Sequence, residues 1–213
     1  SAGGDHANPL HWIRDDGDVL DGDLLLLDAG VEVNSLYTAD VTRTLPINGH
    51  YTDAQRRVYE VVLAAQEAGI AACRAGNGFL DPHRAAIRVI AEFLAEIGVL
   101  PCSVEETLAE DGGYHRRWMV HGTSHHLGLD VHDCAAARRE RYRDAELVPG
   151  MVITVEPGLY FKSTDLLVPE EYRGIGVRIE DDILITDGDP ENLSASLPRK
   201  SEDVEAWLAR LQG

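Results

Sequence analysis

Four stretches of apolar residues along the chain predict β-strands. Residues 23–33 (DLLLLDAGVEV) are short and rich in leucine and valine, as a buried strand requires. Residues 36–45 (LYTADVTRTL) are predicted to pair with them, because Asn34 and Ser35 in between favour a turn. Residues 151–156 and 176–186 predict two more strands in the second half of the chain.

Helical spacing of apolar residues appears between these strand regions and again near the C-terminus. Thr52 is a suitable N-cap for a helix that continues to about residue 74, before a Gly-Asn-Gly sequence. Asp81 is predicted to cap a second helix, which ends near residue 97. Residues 202–211 predict a short amphipathic helix.

Composition narrows the class of protein. The chain has 213 residues, of which 44% are hydrophobic and 26% charged, as expected for a single globular domain. A net charge of −18 argues against nucleic acid as a partner, since phosphate binding needs a basic surface. No stretch is apolar for the roughly 20 residues that a membrane-spanning helix needs, and no signal peptide is evident. These features predict a cytoplasmic protein without a membrane partner.

The three cysteines carry little information about function. Cys73, Cys102 and Cys134 are widely separated and form no CxxC pair. They therefore suggest neither a disulfide framework nor a thiolate zinc site. We expect reduced and mostly buried thiols.

Carboxylates stand at the ends of apolar strands, where they are costly unless paired or bound to a cation. Asp28 follows the leucine run, and Asp40 lies in the partner strand, so a hairpin can bring the two face to face. Glu156 ends another strand, while Arg178 and Glu180 share one face of the last. Turn or cap aspartates and a structural ion pair are the alternative explanations.

Histidines are concentrated beside these carboxylates in the sequence. Four of the nine histidines fall within a glycine-punctuated segment of 12 residues: His121, His125, His126 and His132. Imidazole is a common ligand for transition metals and a proton carrier near neutral pH. Such a density, together with strand-end carboxylates, favours a metal site over isolated structural histidines.

The charge of the converging carboxylates also favours metal ions. Two unit charges about 4 Å apart repel by roughly 4 kcal/mol at an effective dielectric constant of ~20. Four carboxylates therefore need protons or cations, and two divalent ions satisfy this need. A set of mainly oxygen ligands with one nitrogen suits Mn²⁺ and also admits Co²⁺, Fe²⁺ or Zn²⁺.

Four motifs, in order, resemble those of the pita-bread metallopeptidases, and most of all Xaa-Pro aminopeptidase (aminopeptidase P). They are DAGVEVNSLYTADVTRT, HGTSHHLGLDVHD, ITVEPGLYF and GIGVRIEDDILIT, within a match that covers residues 11–197. The resemblance implies an α+β pita-bread fold, with curved antiparallel sheets flanked by helices. It also implies hydrolysis of the bond between an N-terminal residue and a following proline.

The resemblance assigns roles to individual residues. It implies five metal ligands, with Asp40 and Glu180 bridging the ions: Asp28, Asp40, His125, Glu156 and Glu180. It implies catalytic roles for Glu156, as general base, and for His121, His132 and Arg178. It implies substrate contacts for His11, and a pocket for the proline ring at Val131 and Tyr160.

Two departures from the family pattern qualify these expectations. The segment between Asp28 and Asp40 is one residue longer than the pattern, which puts the direction of Asp40 in question. The chain also starts late, so residues 1–213 are predicted to be a catalytic domain without its first elements and without the upstream N-terminal domain.

The family resemblance further implies a homo-oligomer.

Three other functions remain compatible with the sequence. An Xaa-Pro dipeptidase shares the chemistry but acts on dipeptides, and the short segment between Glu156 and Glu180 favours the aminopeptidase. A methionine aminopeptidase is less consistent with HGTSHHLGLDVHD. A non-catalytic binding module of the same fold typically lacks metal ligands, and all five are present here.

Overall fold

The computed structural model describes residues 2–3 and 18–212, and its first sheet is built on a long antiparallel hairpin. The hairpin strands are β2 (Leu24–Glu32) and β3 (Thr38–Pro46), and β1 (Ala2–Gly3) pairs with the outer side of β2. Both hairpin strands predicted from the sequence are thus confirmed. The connection between them includes Leu36 with a φ of 67°, a left-handed conformation that side chains seldom adopt.

Three helices follow the hairpin: α1 (Asp53–Ala71), α2 (Asp81–Glu96) and the short α3 (Val104–Leu108). Thr52 caps α1 as predicted, in a capping box with Gln55 in which each side chain accepts from the other's backbone N–H. The predicted cap of α2 is wrong. Leu80 occupies the N-cap position, because the Asp81 carboxylate accepts from the Gly78 N–H in the preceding turn.

The second half of the chain forms two further antiparallel units. One is a sheet of three strands, β4 (Val152–Val155), β7 (Asp181–Leu184) and β8 (Glu191–Asn192). The other pairs β5 (Gly158–Tyr160) with β6 (Gly176–Arg178). The helix α4 (Ser201–Gln212) ends the described chain and confirms the predicted C-terminal helix.

The single strand predicted over residues 176–186 is wrong, because it divides into β6 and β7 and these belong to different sheets. At the junction, Ile179 N donates to Pro157 O, and Glu180 N donates to Thr42 O on β3. The backbone therefore leaves one sheet and enters another at Glu180. This break positions the Glu180 side chain.

The main core lies between the helix pair α1–α2 and the strands β5 and β6. Its fully buried members include Val62, Ile90, Leu94, Leu159 and Val177. Burial of such side chains contributes about 1.5–3 kcal/mol each, which fixes the helices against the strands that carry the polar site. Among the described residues, no helix is both long and apolar enough to cross a membrane.

All three cysteines are free, as the sequence predicted. The expectation that most are buried is only partly right. Cys73 is buried, Cys102 is half-buried and Cys134 is exposed, in a loop where its φ is 54°.

Candidate metal centre

Asp28 and Asp40 lie on the same face of the β2–β3 hairpin but not directly opposite each other. In the strand register, Asp28 faces Thr42 and Asp40 faces Gly30. The two carboxylates are therefore diagonal neighbours, offset by two positions along the strands, and the predicted face-to-face pairing is wrong. A Cβ atom at Gly30 would lie 2.8 Å from the Ala39 carbonyl oxygen, so glycine permits the close pairing beside Asp40.

The imidazole of His125 has one nitrogen satisfied by the backbone and the other directed at carboxylates. Its Nδ1 lies 3.0 Å from the His126 carbonyl oxygen, which assigns the proton to Nδ1. Its Nε2 lies 3.6 Å from Asp40 Oδ2, 3.6 Å from Glu156 Oε1 and 4.0 Å from Glu180 Oε1. A lone pair surrounded by three carboxylates, with the opposite N–H held by a carbonyl, is the arrangement of a metal-binding histidine.

Asp40, His125 and Glu180 offer ligand atoms that all lie within 4.8 Å of one another. The side chains in this group are largely shielded from solvent. The additional residue before Asp40 does not turn its carboxylate away from the site. The donor set of carboxylate oxygens and one imidazole nitrogen fits divalent cations with a preference for oxygen and nitrogen.

The pKa values of the site residues indicate that its carboxylates repel one another when no cation is bound. Burial raises the pKa of Glu180 to about 8, and the nearby Asp40 carboxylate adds to this effect. Burial, followed by the charge of Glu180, raises the pKa of Glu156 well above its usual range. Burial lowers the pKa of His125, but Asp40 and the other neighbouring acceptors outweigh it and leave the pKa raised. The site therefore favours bound positive charge.

Arg178 is a buried arginine that joins several predicted site residues. Its Nη2 donates to Asp28 Oδ2, its Nη1 donates to the Tyr160 hydroxyl at 3.1 Å, and its Nε lies 3.3 Å from Thr42 Oγ1. The sequence places Arg178 on the same strand face as Glu180, but its direct ion pair is with Asp28. Because a guanidinium has a planar fork of donors, these contacts fix the direction of the Asp28 carboxylate.

His121 and Tyr160 form a polar pair at the edge of the carboxylate cluster. The Tyr160 hydroxyl lies 2.6 Å from His121 Nε2, and His121 Nδ1 lies 2.7 Å from the Gly122 carbonyl oxygen. Nδ1 is also 3.7 Å from Glu156 Oε2. Burial raises the pKa of Tyr160 to about 12, so its hydroxyl keeps its proton at neutral pH.

A cleft of about 400 Å³ opens beside the two aspartates, and Val131 and His132 line it. The His132 ring meets the His125 ring edge to face, with the ring centroids 4.5 Å apart. His126, in contrast, stacks on Phe79 and belongs to the packing of the loop. The predicted substrate-side residue His11 lies outside the described residues.

Two polar residues that the sequence did not single out also contact the ligand set. Thr42 donates its hydroxyl proton to Glu180 Oε2 at 2.6 Å, and Asp182 accepts from the Asp40 N–H at 3.2 Å. Thr42 follows Asp40 by two positions on the same face of β3, so strand periodicity gives a signal for it. Asp182 has no comparable signal, because its role depends on a contact between residues 142 positions apart.

Comparison with known proteins gives consistent similarities. Residues 1–187 match metallopeptidase family M24. Xaa-Pro aminopeptidase 1 of Streptomyces coelicolor is 61% identical over 212 residues, which cover 100% of this chain and 43% of that protein. Xaa-Pro aminopeptidase of Escherichia coli is 45% identical over 205 residues, which cover 96% of this chain and 45% of that protein. The chain thus spans less than half the length of these relatives.

Solved structures agree with the sequence relatives. The structure of an Escherichia coli aminopeptidase P variant in complex with substrate aligns with a TM-score of 0.90 at 42% identity. The alignment covers 99% of this chain and 47% of that chain.

Proposed function

Since the chain belongs to metallopeptidase family M24, we propose that it forms the metal-bearing catalytic part of an Xaa-Pro aminopeptidase. Its fold is the pita-bread fold predicted from the sequence. The observation that carries the proposal is the direction of His125 Nε2 toward three carboxylates at 3.6–4.0 Å. The proposed reaction is hydrolysis of the peptide bond between an N-terminal residue and a following proline.

The proposed cofactor is a pair of divalent ions, with Mn²⁺ preferred and Co²⁺, Fe²⁺ or Zn²⁺ admitted by the same ligand types. Five residues would hold these ions: Asp28, Asp40, His125, Glu156 and Glu180. When bound, the ions supply positive charge that acidifies water and polarises a carbonyl. The raised pKa of Glu156 and Glu180 supports this proposal, because divalent ions offset the same repulsion that protons otherwise relieve.

The protein's own groups have separable roles in the proposed reaction. Glu156 takes a proton from the attacking water and passes it to the leaving nitrogen. His121 or His132 donates a hydrogen bond to the oxygen that becomes negative in the transition state. For His121 this requires exchange of its contact with the Gly122 carbonyl oxygen or with the Tyr160 hydroxyl. Arg178 does not contact the substrate itself. It acts through Asp28 and the Tyr160 hydroxyl, whose positions it fixes by hydrogen bonds.

The proposed substrate is a peptide with proline in second position. The nitrogen of a proline residue carries no hydrogen, so recognition has to depend on an apolar pocket for the ring. We assign Val131 and Tyr160 to this pocket and His11 to a further substrate contact. The cleft beside Asp28 and Asp40 supports the assignment of Val131, which lines it together with His132. We further propose a cytoplasmic homo-oligomer; the net charge of −18 supports the expectation that nucleic acid is not a partner.

The activity is tested by supplying Mn²⁺ to the purified protein and comparing Xaa-Pro-Yaa tripeptides with Xaa-Pro dipeptides. Release of the N-terminal residue from tripeptides is the expected result. Cleavage of dipeptides alone would identify a dipeptidase instead. Absence of metal uptake in calorimetry would favour a binding module and overturn the proposal.

The role of Glu156 is tested by Glu156→Ala, which is expected to abolish turnover because the variant lacks the group that transfers the proton. The matched control is Glu96→Ala, since the Glu96 side chain is 60% exposed and pairs with Arg57 at the surface. Turnover is measured by chromatography of the released amino acid. Retained turnover in Glu156→Ala would refute the assigned role, and loss in the control would indicate general damage.

A further inference from the structure

A fully buried carboxylate that is not among the proposed ligands lies directly behind the metal centre. Asp181 follows Glu180 and is 0% exposed. Its Oδ1 accepts from Arg43 Nη2 at 2.7 Å and from Ser194 Oγ at 2.7 Å, and its Oδ2 accepts from Gln66 Nε2 at 3.0 Å. With three donors around it, this carboxylate is satisfied without a cation.

Arg43 is the partner of Asp181 and uses every one of its donor groups. Its Nη1 donates to the carbonyl oxygens of Thr42 at 2.9 Å and Glu180 at 2.7 Å. Its Nε donates to Pro198 O at 2.8 Å, and its Nη2 reaches Leu197 O at 3.4 Å in addition to Asp181. An arginine presents five N–H donors in a rigid plane, so this pattern defines one relative position of the segments that it joins.

Three backbone acceptors of this network lie at or near the positions of proposed ligands. Arg43 Nη1 binds the carbonyl oxygen of Glu180 itself and that of Thr42, two positions after Asp40. Gln66 Nε2, besides Asp181, reaches the carbonyl oxygen of Val155 at 3.3 Å, next to Glu156. One buried network therefore contacts the backbone at or beside three of the ligand positions.

From this geometry we propose that Arg43 and Asp181 are positioning residues that set the spacing of Asp40, Glu156 and Glu180, and with it the affinity for the divalent ion. The inference rests on the proposed metal site and deepens it. Neither residue touches the substrate or the ion. Their effect passes through the backbone of β3, the β6–β7 junction and the end of β4.

A purely structural ion pair makes a different prediction from a positioning pair. Loss of a structural pair lowers the free energy of unfolding but leaves the folded fraction with its normal metal affinity. Loss of a positioning pair weakens metal binding in protein that is still folded. Groups in the outer shell of metal sites typically alter metal affinity by about 10- to 100-fold.

The test measures Mn²⁺ binding to the purified chain by isothermal titration calorimetry, with circular dichroism to establish that each variant is folded. Arg43→Lys keeps the charge but removes the planar fork, and it is expected to weaken binding about 10-fold or more. Ser194→Ala removes one donor to Asp181 and is expected to weaken binding about 3-fold. The control is Arg56→Lys, because the hydrogen-bond partners of the Arg56 side chain among the described residues are Glu205 and Ser201, which lie outside the ligand-bearing strands. The control should bind as the wild type does.

The outcomes separate this inference from the proposed function. If the wild-type chain takes up no Mn²⁺, the proposed function fails. If it binds Mn²⁺ and Arg43→Lys binds equally well, the positioning role is overturned while the proposed function stands. Should Arg43→Lys not fold, Ser194→Ala decides the question, and affinity equal to that of the wild type overturns the inference.

Discussion

The Glu180 carboxylate should destabilise the metal-free protein at alkaline pH. The side chain is 2% exposed, and burial with the adjacent charge of Asp40 raises its pKa from 4.5 to about 8. Between these two pH values the folded chain binds more protons than the unfolded chain, so stability falls as pH rises through this window. At pH 8 the ionised carboxylate costs roughly 4 kcal/mol relative to its protonated form.

Glu180→Gln places a neutral group of similar shape in the same position. In EDTA at pH 8 we expect the variant to have a free energy of unfolding higher than the wild type by about 2–4 kcal/mol. At pH 5 the gain should shrink to under about 1 kcal/mol, because the wild-type carboxyl is then protonated in the folded state. With saturating Mn²⁺ the order should reverse, since the variant lacks a ligand and gains less stability from binding.

Urea denaturation followed by circular dichroism measures these differences at pH 5 and pH 8, with EDTA and with Mn²⁺. Glu96→Gln is the matched control, because the same chemical change at an exposed ion pair should alter stability by less than about 1 kcal/mol. A metal-free Glu180→Gln variant that is less stable than the wild type at pH 8 would refute the reasoning. So would an equal gain at both pH values.

Three other predictions concern the scaffold. Thr52→Ala removes the capping box of α1 and should cost about 1 kcal/mol, seen as a lower Tm; an unchanged Tm would contradict this. Ile90→Ala opens a cavity in the main core and should lower the free energy of unfolding, measured by urea denaturation, by about 2–5 kcal/mol. Leu166→Ala, at a side chain 79% exposed, should leave it almost unchanged. Burial lowers the pKa of His83 to about 4, so the wild type loses stability as pH falls from 6.5 toward 4. His83→Gln should flatten that loss between pH 7 and pH 4.5, and an unchanged slope would exclude His83 as its source.

Local signals in the sequence predicted the helices and the hairpin well. Thr52 and Gln55 are three residues apart, which is the spacing that a capping box requires, and the structure contains it. The same reasoning failed at Asp81, because an aspartate just before a helix can serve the preceding turn as well as the helix end. The sequence alone does not indicate whether the Asp81 carboxylate binds the N–H groups of the helix end or that of the preceding turn.

The sequence predicted which residues form the candidate site better than it predicted the contacts between them. Strand-end carboxylates beside a histidine-rich segment indicated which groups converge, and Asp40, His125 and Glu180 do so. The contact of Arg178 with Asp28 joins residues 150 positions apart, and nothing in the local pattern distinguishes it from a contact with Glu180. The division of residues 176–186 between two sheets depends in the same way on a distant acceptor, Thr42 O.

The break between β6 and β7 affects the local unfolding of the protein. The hairpin β2–β3 and the sheet β4–β7–β8 are separate units, and the proposed ligands come from both of them, with Glu180 at the junction. An ion held by that set would act as a cross-link between units that are distant in sequence. Local unfolding of the hairpin would then require release of the ion as well as loss of the hydrogen bonds between β3 and residues 180–182, so the hairpin would open less often in the loaded protein than in the metal-free one.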